Sequence, residues 1–155
     1  MNRNRDQHTL DPVHLIRETA ARAVVAVGLA GIGLIHLLDS IGKYSETRYL
    51  FWMYIALILG SIVTAGAVLF SRTRLPFLAA AGLAASALVG YVLSRTTGLP
   101  NATGDIGNWA EPLGLASLFA EGTVVAAALA AYAILPARSK TTARHLHAVP
   151  LAEAA

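Results

Sequence analysis

The stretch YLFWMYIALILGSIVTAGAVLF, Tyr49 to Phe70, carries no charged side chain from end to end. Wound as a helix at ~1.5 Å per residue, it reaches across the ~30 Å hydrocarbon layer of a bilayer, which takes ~20 residues. Three further runs share its character: about Thr19 to Ile41, Leu75 to Leu93 and Leu113 to Leu135. The spans 19–41, 49–70, 75–93 and 113–135 predict an all-α fold with one four-helix transmembrane domain over 19–135. Residues 1–18 read as a cytoplasmic N-terminal segment and helix entry, and 136–155 as a mobile cytoplasmic tail without apolar periodicity.

The first run is the least uniform, because a full span must take in Arg22 at one end and His36 with Asp39 at the other. Arg22 can reach back to the interface; the other two call for an inward-facing role. Asp11 before Pro12, with Leu10 placed to staple against Leu15, predicts that this helix starts ahead of the membrane. No small-x-small cleavage site follows the run, so the segment is expected to be retained.

Composition agrees with the spans. Of 155 residues, 55% are hydrophobic and 14% charged, against roughly 25% charged in soluble domains. That distribution excludes a soluble enzyme core and a disordered chain, and the absence of cysteine excludes thiol redox chemistry and thiolate metal sites. Although the pI is near 9.6, the twelve Lys and Arg flank the spans instead of forming a basic face, so no nucleic-acid partner is expected. Nine of them (Arg3, Arg5, Arg17, Arg22, Arg72, Arg74, Arg138, Lys140, Arg144) fall on one side of the spans and three (Lys43, Arg48, Arg95) on the other. The positive-inside rule then puts both termini in the cytoplasm, with the chain multi-pass in the plasma membrane.

Helices in lipid associate through small residues and modest polar groups. Gly82, Ser86 and Gly90 form a low ridge on helix three that would suit a neighbouring helix or a second copy of the chain, and Gly114 and Ser117 lie on a stripe of helix four with Glu121. Short connections after helices one and two favour antiparallel neighbours, hence an up-down bundle.

Four polar residues stand out as candidates for buried roles: Glu121, His36, Asp39 and Arg95. Glu121 lies about 12 Å below the outer boundary at ~1.5 Å per residue. A charge at that depth costs ~2.5 kcal/mol or more, so the residue should face inward and be paired, protonated or functional. His36 and Asp39, one turn apart, would complete with Glu121 a ligand set suited to a divalent cation; the competing reading is a polar cluster closing the outer mouth of the bundle. No second histidine lies within a span, which argues against haem, and no cofactor is expected. His145 and His147 alternate in the tail without a further ligand.

The connection 94–111 is long for a compact domain. Arg95 could pair there with Asp39, Asp105 or Glu111. Asn108 reads as a helix cap with Glu111 as its capping-box partner, and Trp109 falls at headgroup level. Asp105, Trp109 and Glu111 would present a docking surface, or else the loop caps the bundle. The pattern Ser94-Arg95-Thr96, Gly98-Leu99-Pro100, Asp105 and Trp109-Ala110-Glu111-Pro112-Leu113-Gly114, with Glu121 beyond, resembles small four-helix membrane proteins of unassigned role in high-GC actinobacteria. The resemblance runs from the end of helix three through helix four and implies a fold and a cell envelope, without an activity.

Two functions follow from this inventory. The first is a non-enzymatic integral membrane protein, structural or accessory, docking another membrane protein through its bundle and the 94–111 loop. The second is a proton- or cation-binding transport or sensing module built on His36, Asp39 and Glu121. No complete catalytic set can be named, so an enzyme is not expected. The partners are the lipid bilayer and another membrane protein or a second copy.

Overall fold

The computed structural model describes residues 12–135. The expected cap at Asp11, its Leu10 staple, and the tail with His145 and His147 lie outside the described residues. The chain forms four helices, α1 (Pro12–Glu46), α2 (Arg48–Phe70), α3 (Leu75–Thr96) and α4 (Pro112–Ile134). Each is long and apolar enough to cross a membrane. Successive helices pack side by side, α4 closes back on α1, and contact across the α1–α3 diagonal is slight. The result is an up-down ring, with the start of α1 and the end of α4 at one end and the 97–111 loop at the other.

Boundaries differ from the sequence reading where side chains extend the hydrogen-bond ladder. At its C-terminal end α1 runs past Ile41 to Glu46, where Lys43 and Glu46 pair at 3.1 Å one turn apart. Thr47 alone separates it from α2; its N–H donates to the Lys43 carbonyl at 2.9 Å and its carbonyl accepts from Leu50 N–H at 3.0 Å.

α4 starts at Pro112, so neither Asn108 as cap nor Glu111 as capping-box partner holds. Proline disfavours helical geometry in the residue before it, which leaves Glu111 extended and able to serve as the cap itself. Its carboxylate accepts from Leu113 N–H at 3.0 Å and Gly114 N–H at 2.6 Å.

The termini half of the bundle is closed. Val25, Leu29 and Ile32 of α1, Val68 of α2, Phe77, Ala80 and Ala84 of α3, and Val124 and Ala128 of α4 form one buried cluster. α1 and α4 approach so closely at Gly28 that a Cβ there would lie 2.4 Å from Val124 Cγ2. Arg22 does not simply reach for the interface. It donates to the Val68 carbonyl, pairs with Glu18 at 2.9 Å and lies over the Phe77 ring, tying three helices at their termini end.

Gly82, Ser86 and Gly90 do not form a helix contact within the chain. Gly82 and Ser86 are exposed, and a Cβ added at Gly82 or Gly90 would meet nothing within 4 Å. α3 instead buries the adjoining face of Phe77, Ala80, Ala81 and Ala84. Outward-facing side chains are large and apolar, among them Val27, Val63, Phe70 and Phe119, all more than 70% exposed. Such a surface suits lipid and not water.

Candidate functional site

Polar side chains gather in the loop half of the bundle, in two tiers. The deeper tier joins α1 to α4. Glu121 is wholly buried, and its Oε1 accepts the Ser117 hydroxyl proton at 2.5 Å, one turn up the same helix. Across the bundle, His36 Nε2 lies 3.7 Å from that oxygen. The second ring nitrogen of His36, Nδ1, sits 2.9 Å from the Ile32 carbonyl, which can only accept; in the neutral ring Nδ1 therefore carries the hydrogen and Nε2 turns its lone pair toward Glu121. Tyr54 of α2 holds the imidazole edge-on, ring centroids 5.1 Å apart. Ser61, also on α2, is buried below them against Gly33 of α1. Glu121 Oε2 and Ser61 Oγ have no hydrogen-bond partner among the described residues.

The upper tier is built on Arg95, in the last turn of α3. Its Nη1 pairs with Asp105 Oδ1 at 3.0 Å and its Nη2 with Glu111 Oε2 at 3.5 Å, and the guanidinium lies over the Tyr91 ring. Of the three carboxylates the sequence offered to Arg95, the structure pairs it with Asp105 and Glu111. Lys43 of α1 approaches the other oxygen of Asp105 at 3.9 Å, so one loop carboxylate bridges α1 and α3.

The loop that supplies these groups is folded down as a cap. Leu99 and Ala102 exchange backbone hydrogen bonds around Pro100 and Asn101; Asn101, at φ 56°, takes the left-handed position that asparagine tolerates. Tyr49 donates its hydroxyl proton to the Pro100 carbonyl at 2.8 Å, and Gly107 N–H reaches the Arg95 carbonyl at 2.9 Å. At Gly98, φ is 76° and a Cβ would come within 3.0 Å of Ile106, so only glycine fits the start of the fold-back. Asp105 and Glu111 turn inward, while Ile106 and Trp109 remain nearly half exposed.

Sequence reading named His36, Glu121 and Ser117, and the structure brings them together. It does not add Asp39: among the described residues no three His, Asp or Glu side chains are placed to hold a metal ion. Asp39, one turn further along α1, interacts instead with Tyr54. Tyr91 was missed. It presses on Gly114, where a Cβ would lie 2.6 Å from its ring, and it donates its hydroxyl proton to the Trp109 carbonyl. A tyrosine near the end of a span is too common to signal such a role. No family model, curated protein or solved structure matches the chain. Fold and site together define a four-helix membrane bundle with a polar interior at one end.

Proposed function

We propose that this chain is a non-enzymatic, multi-pass accessory or sensing protein of the cell membrane, with both termini cytoplasmic, in which His36 and Glu121 bind a single shared proton. The observation that carries the reading is His36 Nε2 standing 3.7 Å from the fully buried carboxylate of Glu121. With one proton between them the pair is neutral or a compensated ion pair. With none, a bare carboxylate stands inside the bundle, and with two, an unpaired cation does. The facing groups are Asp39 one turn along α1, which interacts with Tyr54, then Tyr54 and Ser61 from α2, Ser117 from α4, and Arg95 of α3 in the upper tier. Below the pair the core is apolar apart from Ser61, and the other polar groups around it lie toward the loop end.

Catalysis is disfavoured by the order of the groups. The carboxylate stands between the Ser117 hydroxyl and the imidazole, whereas an activated serine needs the imidazole beside it.

Thermal unfolding in detergent across a pH series tests the proposal. If the folded pair holds a proton that the unfolded chain releases, the folded state binds more protons and stability falls as pH rises. Glu121→Gln and His36→Gln should each flatten that dependence. Curves parallel to wild type in both variants would overturn the reading.

Docking of another membrane protein draws support from Ile106 and Trp109, held half exposed on a pinned loop. A photo-crosslinker at Trp109 that captured lipid alone would leave the loop as a cap only.

A further inference from the structure

α2 and α3 meet where Leu83 packs on Gly60, its Cδ1 only 3.1 Å from the position a Cβ would take, and they part toward the loop. Between them lies a cavity of about 590 Å³, within the ~300–1,000 Å³ typical of sites for small molecules. Leu57 and Leu83 bound it toward the termini; Leu99 and Ala102 of the folded loop bound it above. The ridge of Ser86 and Gly90 forms part of its wall, facing Met53 of α2. Met53 and Ser86 are exposed, so the cavity communicates sideways with the surface that faces the bilayer. An apolar molecule already dissolved in the membrane can enter there.

The head of such a molecule is specified by the loop end. Arg95 and Lys43 stand there with Asp39, Asp105 and Glu111, two cations against three carboxylates, so an anionic head would meet an excess of its own charge. Arg95 is more than nine-tenths buried, lines the cavity, and has no hydrogen-bond partner at Nε or at Nη1, the latter being ion-paired with Asp105. A neutral oxygen acceptor is what Nε lacks.

We propose that this cavity binds a neutral single-chain amphiphile, its chain against Leu57 and Leu83 and its hydroxyl or carbonyl oxygen accepting from Arg95 Nε. His36 and Ser117 line its deeper edge, so the cavity adjoins the proton pair.

The test is thermal unfolding of the full chain in dodecyl maltoside, titrated with monooleoylglycerol or with ionised oleate. At a hundredfold excess over its dissociation constant, monooleoylglycerol should raise the midpoint by roughly 5 to 10 °C, and oleate by far less. Gly90→Leu extends a side chain from a position with nothing within 4 Å. It should melt near wild type without ligand and lose the shift. Arg95→Lys keeps a positive charge but removes Nε together with the two Nη groups that meet Asp105 and Glu111, and should weaken monooleoylglycerol by at least about tenfold. Absence of a shift in wild type, an equal shift with oleate, or an undiminished shift in Gly90→Leu would each overturn the proposal. Should Gly90→Leu not yield folded protein, Ser86→Leu on the same wall reads the same loss.

Discussion

At the scale of single residues, Glu121 separates a structural partner from an ionisable one. Glu121→Gln keeps size and hydrogen-bonding capacity, so the variant should fold, and its loss should be confined to pH dependence. Glu121→Ala removes the acceptor of the Ser117 hydroxyl and leaves a void between α1 and α4. It should cost about 2 to 4 kcal/mol on top of any protonation effect, read by denaturant unfolding in mixed micelles. Glutamine as costly as alanine would mean that charge itself holds the bundle. Gly98→Ala tests the cap: with φ at 76° and Ile106 at 3.0 Å, a methyl should cost about 1 to 2 kcal/mol and raise hydrogen exchange across 98–107. Unchanged exchange would show that the loop is not held by this turn. Glu121 was legible in the sequence because an acid inside an apolar run has few uses. Asp39 was misjudged because one-turn spacing fixes neighbouring faces on α1, not the distance to another helix.

At the scale of helices, α3 offers two small-residue faces, and spacing alone does not choose between them. Gly82, Ser86 and Gly90 make the lower ridge; Ala80, Ala81 and Ala84 make the one that is buried. The choice follows from the ends. Phe77 and Arg95 are five helical turns apart and share a face with Ala84, so anchoring Phe77 in the core and Arg95 under the loop turns the alanines inward. Gly82→Leu should therefore leave thermal stability within about 1 kcal/mol of wild type. Gly28→Ala, a far smaller change, should destabilise by about 1 to 3 kcal/mol, since its methyl would lie 2.4 Å from Val124 Cγ2. A large loss at Gly82 together with a shift in oligomeric state would instead assign the ridge to a second copy of the chain. The start of α4 carries the same lesson. Glu111 and Pro112 were each visible, but the helix begins where proline forces its predecessor out of helical geometry, three residues beyond the sequence estimate.

At the scale of the molecule, four apolar runs and short connections were enough to read an up-down ring, because each span must satisfy its backbone internally and each short turn reverses direction. The cavity was not legible, since it arises where two consecutive helices fail to meet, and no residue pattern marks a separation. The expected sidedness rests on charge in the sequence, where nine Lys and Arg precede, follow or connect the spans on the termini side and three on the other. Because the chain has no cysteine, single substitutions report cleanly. Thr103 and Thr73 are both exposed, at opposite ends of the bundle. In intact cells a membrane-impermeant maleimide should label Thr103→Cys, and should label Thr73→Cys only after permeabilisation. The reverse pattern would invert the topology without disturbing the fold. It would also decide which compartment the proposed proton pair samples, because the polar groups around His36 and Glu121 lie toward the loop. With the loop outside, the pair responds to external pH; with it inside, to the pH of the cytoplasm. Exchanging Arg72 and Arg74 for glutamine while adding lysines beside Thr103 should then weaken or reverse the labelling preference, since Lys and Arg near the spans set orientation in proportion to their number. An orientation unmoved by that exchange would place its cause elsewhere in the chain, outside the short loops.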